Sequence, residues 1–154
     1  MTNNTITKVI IALIITLVFS GYYIYTNKDI SISPEQAIFM TAEAADSNAT
    51  VSGVFELKVQ AVKEENLGKM SYLNSELDYR DQRNITIDIP LNIRIGLTDK
   101  YNDSLENIFM DKKIRVNGVA KRMKVNFYSH GVKTDKYYYQ THVRIYNIDQ
   151  IEVI

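Results

Sequence analysis

The stretch KIRVNGVAKRMKVNFY, Lys113 to Tyr128, decides the fold. Ile114, Val116 and Gly118 fall on one parity and Met123, Val125 and Phe127 on the other. A period of two marks a strand. A change of parity within one strand predicts a β-bulge at Gly118–Ala120, where glycine permits the irregular backbone. A long, bent strand of this kind coils around a small barrel.

Working outward, the spacing predicts a hairpin loop over Ser129–Lys136 centred on Gly131, a returning strand over Tyr137–Tyr146 and a short closing strand over Asp149–Ile154. Upstream, Asp99–Met110 reads as a helix capped by Asp103 or Ser104, and Asn84–Ile89 and Met70–Asn74 read as strands separated by a polar loop, Ser75–Arg83. Val51 to Ala61 alternates again, and Glu64–Gly68 reads as a turn. Ahead of it, Ser33, Pro34 and Gln36 form a capping box with proline at the first helical position, so a helix starts there and ends at Asp46-Ser47-Asn48. The expected fold is mainly β, with one or two helices. It is a five-stranded Greek-key barrel of OB type over residues 49–154, preceded by a linker and capping helix over 29–48.

Residues 1–28 read differently. Val9–Phe19 (VIIALIITLVF) is apolar apart from Thr16, and no charge occurs between Lys8 and Lys28. Extended to Tyr25, the run reaches the lower limit for a spanning helix, and Tyr22, Tyr23 and Tyr25 suit an interfacial belt. Lys8 ahead of it predicts a single-pass protein held in the membrane by residues 9–25, with the later domain outside the cytoplasm, as in the periplasm at a bacterial inner membrane. The alternative is a signal peptide cleaved near Gly21 and a secreted domain.

The formal charge of the 154 residues is zero, but it is polarised. From Asp29 to Asp111 there are 15 acidic and 7 basic residues, whereas from Lys112 to Arg144 there are 9 basic residues and Asp135 alone is acidic. Such a basic segment suits an anionic partner, or pairs with the acidic half across one fold. The absence of cysteine excludes disulfides and thiolate chemistry. His130 and His142 are too few for a metal site, and Asp78, Asp81 and Asp88 lack the alternate spacing and glycine of a calcium loop, so they read as a solvated loop. No nucleophile elbow, P-loop or dinucleotide motif is present.

Tyr72-Leu73-Asn74, Tyr79-Arg80-Asp81-Gln82 and Ile85-Thr86-Ile87, with Lys112–Gly118 and Asp149–Val153, resemble the strands of thermonuclease-like and nucleic-acid-binding OB modules. The resemblance covers roughly residues 50–154 and implies the fold. The nuclease's calcium-binding carboxylates, paired arginines and glutamate have no counterpart, so no catalytic residue is expected. The layout is also similar, more remotely, to membrane-anchored OB-fold haem chaperones, but their His-x-x-x-Tyr motif is read as absent, so neither haem nor any other cofactor is expected.

The arrangement with chemical content is basic and aromatic: Arg115, Lys121, Arg122 and Lys124 on the long strand, and Tyr138, His142, Arg144 and Tyr146 on the returning one. Single-strand binders combine cationic grooves with aromatic platforms in this way. The expectation is a membrane-tethered binding module for an anionic or single-stranded oligomer or an acidic protein. A degenerate nuclease-like hydrolase and a structural envelope protein are the alternatives.

Overall fold

The computed structural model describes residues 31–44, 50–65 and 67–154. The expected membrane segment, residues 9–25, lies outside them. Among the described residues no helix is long and apolar enough to cross a membrane.

After a short strand β1 (Ser31–Ile32), helix α1 (Pro34–Ala44) starts as its capping box requires: Gln36 N–H donates to Ser33 Oγ (3.3 Å), and Ser33 N–H donates to Gln36 Oε1 (2.9 Å). Strands β2 (Val51–Lys58), β3 (Ala61–Glu64), β4 (Met70–Asn74) and β5 (Ile85–Pro90) follow. Helices α2 (Leu91–Tyr101) and α3 (Leu105–Phe109) then precede the long pair β6 (Lys113–Ser129) and β7 (Val132–Arg144). A 3₁₀ turn, Ile148–Gln150, leads into β8 (Ile151–Val153).

The eight strands form one mixed sheet in the order β1-β2-β6-β7-β5-β4-β3, with β8 also on β6. Here the five-stranded closed barrel needs correcting, because the hydrogen-bonded path is not closed. Its cause is the break at Val59–Gln60. Val59 exchanges backbone bonds with Lys112 and Asp111, whereas Gln60 N–H donates to Asn74 O. The first strand is thereby split, β2 pairing with β6 and β3 with β4. The core is Phe55, Leu57, Leu73, Ile85, Ile87, Ile89, Ile114, Val116 and Ile145 from the strands, plugged by Phe109 from α3 and Ala37 from α1.

Three local expectations also change. Gly118 carries no bulge: β6 keeps register with β2 through Ala120, and its one irregularity lies between Asn126 and Tyr128. Met123, Val125 and Phe127 take the outward parity because β6 has run past the core there, and nothing beyond Ala120 on it is buried. The hairpin loop shrinks to His130-Gly131, both at positive φ (51° and 79°), as a two-residue type I′ turn demands. The single expected helix is two: Asn102 closes α2 in the left-handed region, and Ser104 Oγ restarts the chain by accepting from Asn107 N–H.

Candidate functional site

On β5 both faces are covered. Ile85, Ile87 and Ile89 point into the core, so Thr86 and Asp88 point outward, yet both are buried. They are covered by polar neighbours in register. Asn74 of β4 pairs with Thr86, which pairs with His142 of β7, which pairs with Lys121 of β6. Two residues along β5, Tyr72, Asp88, Arg144 and Val119 form a parallel row. Strands lie about 4.8 Å apart, so the rows cross roughly 14 Å of sheet.

Within this face the polar groups are tied together. His142 Nδ1 lies 2.7 Å from Asp88 Oδ1, and His142 Nε2 lies 3.0 Å from Gln140 Oε1. Gln140 Nε2 donates to the Tyr79 carbonyl (3.0 Å), which fixes its amide with the oxygen towards the histidine. Both ring nitrogens therefore lie within hydrogen-bond reach of a side-chain oxygen. Arg144 Nη2 stands 3.6 Å from Asp88 Oδ2. Further along, Thr86 Oγ1 donates to Asn74 Oδ1 (2.8 Å), and Asn84 Nδ2 donates to Thr86 Oγ1 (2.9 Å). Among the described residues no buried side-chain polar atom lacks a partner. Burial, then the Asp88 charge, raises the Tyr72 hydroxyl above the usual tyrosine range; burial, then Tyr79, does the same to Tyr138.

Two clefts flank His142. One, of about 370 Å³, is bordered by Tyr72, Asn74, Tyr79, Thr86 and Gln140. The other, of about 340 Å³, is bordered by Lys121, Met123, Arg144 and Tyr146. The first offers aromatic and amide groups, the second two cations and a phenol. A third cleft, of about 420 Å³, adjoins the first across Lys63 and Glu64, beside the Arg94–Glu64 ion pair.

The residues singled out in the sequence divide. Lys121, His142, Arg144 and Tyr146 share one cleft, and Tyr138 lies on the same face of the β6–β7 pair. Arg122 and Lys124 take the opposite face, where Arg122 sits 3.6 Å from the Tyr139 ring centroid and Lys124 3.8 Å from that of Tyr137. Arg115 is elsewhere: it donates to Glu56 (2.9 and 3.1 Å) and to Glu152 (3.1 Å). The expected parity flip at Gly118 had put Arg115 with Arg122 and Lys124; without it they part. Asp88 is a buried strand residue, not part of a solvated loop. Tyr72, Asn74 and Thr86 were not anticipated in the site, although the alternation of Thr86 and Asp88 with three isoleucines already placed them on the face away from the core.

His142 and Tyr146 do stand at the His-x-x-x-Tyr spacing of the haem chaperones, a match that reading the chain for ligands passes over. The arrangement does not suit an iron ligand, since both nitrogens of His142 are engaged. Among the described residues no group of three His, Asp or Glu side chains is placed to hold a metal ion.

No family model matches the chain. No curated protein matches it. Among solved structures, aspartyl tRNA synthetase from Entamoeba histolytica is similar over 84% of this chain and 22% of that one, at 16% identity and a TM-score of 0.45. A likeness of that size carries no argument about fold or function.

Proposed function

We propose that the protein is a binding module of OB type that takes a single-stranded, anionic oligomer across the outer face of β4, β5 and β7. The supporting observation is the pair of adjacent rows, Asn74-Thr86-His142-Lys121 and Tyr72-Asp88-Arg144-Val119, in which a bonded amide and hydroxyl stand beside Tyr72 on the β4 side and Arg144 and Lys121 lie on the β7–β6 side. If β2 and β3 are taken as one strand broken at Val59–Gln60, the strands follow the circuit 1-2-3-5-4-1, with α2 and α3 between the third and fourth. In OB folds the face of the second and third strands carries oligonucleotides or oligosaccharides. Lys121 and Arg144 meet phosphate charge, and Tyr72, Tyr79 and Tyr138 offer ring faces to bases.

The test is fluorescence anisotropy of a labelled oligothymidylate with the full chain at increasing salt. Binding weakens as salt rises, and Lys121→Glu with Arg144→Glu removes two phosphate contacts, lowering the logarithmic salt slope by about 1.4. Absence of binding, or binding indifferent to salt and to both reversals, overturns the reading. Preferential binding of polyglutamate would move the ligand class to an acidic protein. Residues 9–25 hold the module to a bilayer with its C-terminal domain outside the cytoplasm; the length and apolarity of that run support this. A reporter fused after Ile154 tests it, and cytosolic activity refutes it.

A further inference from the structure

We infer that the far half of the β6–β7 hairpin is an arm that docks on an anionic lipid bilayer. Pairing of β6 with β2 ends at Ala120, and pairing of β7 with β5 begins at Thr141. Met123 to Gln140 therefore form a two-stranded ribbon beyond the rest of the sheet, with no residue buried on either face. A solvated ribbon has no need of large apolar groups at its tip, yet Phe127, Tyr128 and Val132 are 44, 66 and 69% exposed there.

Charge selects the occupant. Lys124, Lys133 and Lys136 lie in the arm against Asp135 as its one acidic residue, a net of +2, with Arg122 and Lys121 at its root. An apolar tip of Phe127, Tyr128 and Val132 with Lys133 beside it, and Tyr137, Tyr139, Lys136 and Lys124 further back, matches a bilayer surface: the tip enters the acyl boundary, Tyr137 and Tyr139 sit at headgroup level, and cations meet anionic headgroups. The same arm is poorly made for stacking bases. The Tyr137 and Tyr139 faces already carry Lys124 and Arg122, and these two rings meet edge to face at 5.5 Å. Val132 offers a base no ring at all. The inference does not depend on the oligomer-binding face, which overlaps the arm only at its root, at Tyr138 and Gln140.

The chain contains no tryptophan, so Tyr128→Trp places a single indole reporter at the tip of the full chain. Added to phosphatidylcholine vesicles containing a minority of phosphatidylglycerol, this tip reporter shifts to the blue and is quenched by brominated acyl chains. A reporter from Tyr101→Trp, on α2, does neither. Each lysine near an anionic surface changes partitioning about fivefold, so reversing Lys124, Lys133 and Lys136 to Glu lowers docking of the arm, read at the tip reporter whether or not residues 9–25 hold the chain on the vesicle, by about a hundredfold or more. Raising the salt must weaken partitioning of the unreversed arm too, so the result stands even if the triple variant folds poorly. The inference fails if the tip reporter stays water-exposed with these vesicles, or if an oligothymidylate changes it while vesicles do not. Loss of oligothymidylate binding with vesicle docking intact would sink only the proposed function.

Discussion

Replacing Asn84 with Ala tests the element that ties the loop Ser75–Arg83 to the candidate face. Asn84 is 2% exposed. Its Oδ1 accepts from Glu76 N–H (3.1 Å) and from Ser75 O–H (3.4 Å). Its Nδ2 donates to Thr86 Oγ1 (2.9 Å), to Asn74 Oδ1 (3.2 Å) and to the Tyr79 carbonyl (3.4 Å). Truncation does not orphan Thr86 or Asn74, because the Thr86 hydroxyl still donates to Asn74. It leaves two donors, Glu76 N–H and Ser75 O–H, without this acceptor. Each orphaned donor costs about 1–3 kcal/mol, so the loss comes to about 2–6 kcal/mol. At roughly 3 °C per kcal/mol for a domain of this size, Tm falls by about 6–18 °C. Urea unfolding followed by circular dichroism measures the free energy directly. A change below about 0.5 kcal/mol would refute the reasoning, since that is the range of surface substitutions away from such networks.

Other substitutions probe separate parts of the account. A Cβ at Gly118 would come 2.7 Å from Val143 Cγ1, so Gly118→Ala overpacks the core and lowers the urea midpoint by an amount equivalent to about 1–3 kcal/mol. The Arg83 side chain, with its backbone N–H, holds the Asp81 carboxyl at about 2, below its ordinary 3.8. A lowered carboxylate stabilises the fold fully above the unfolded value and loses that contribution as pH falls towards 2; Arg83→Ala moves the Asp81 titration, read by NMR, back towards 3.8. Arg115→Ala leaves oligothymidylate affinity within about twofold, because Arg115 is committed to Glu56 and Glu152; anisotropy checks it, and a tenfold loss would return Arg115 to the site.

Much of the strand plan was legible because one face of each strand is apolar. Ile85, Ile87 and Ile89 alternate, Val51 to Lys58 alternates, and Ser33-x-x-Gln36 announces its helix in four residues. Three things resisted. Leu91–Thr98 carries isoleucines and Gly96, poor helix formers whose helicity comes from packing Ile93 and Leu97 on the core. Past Ala120, apolar residues change face because the core stops there, and sequence shows a change of parity without showing where the core ends. Burial of Thr86 and Asp88 depends on partners brought in by strand pairing: Asn74 lies 12 positions from Thr86, and His142 lies 54 from Asp88. The basic and aromatic series along β6 and β7 was visible in the sequence. Its division between two faces and one remote ion-pair cluster depended on register, which the misplaced bulge had altered.

Chemical-shift mapping of the amide and side-chain signals during titration with oligothymidylate tests the central claim most directly. The account predicts the largest changes at Tyr72, Asn74, Thr86, Asp88, Gln140, His142 and Lys121, with little change around Glu56, Arg115 and Glu152. Changes concentrated on that ion-pair cluster or on α1, with the row from Asn74 to Lys121 unmoved, would contradict it.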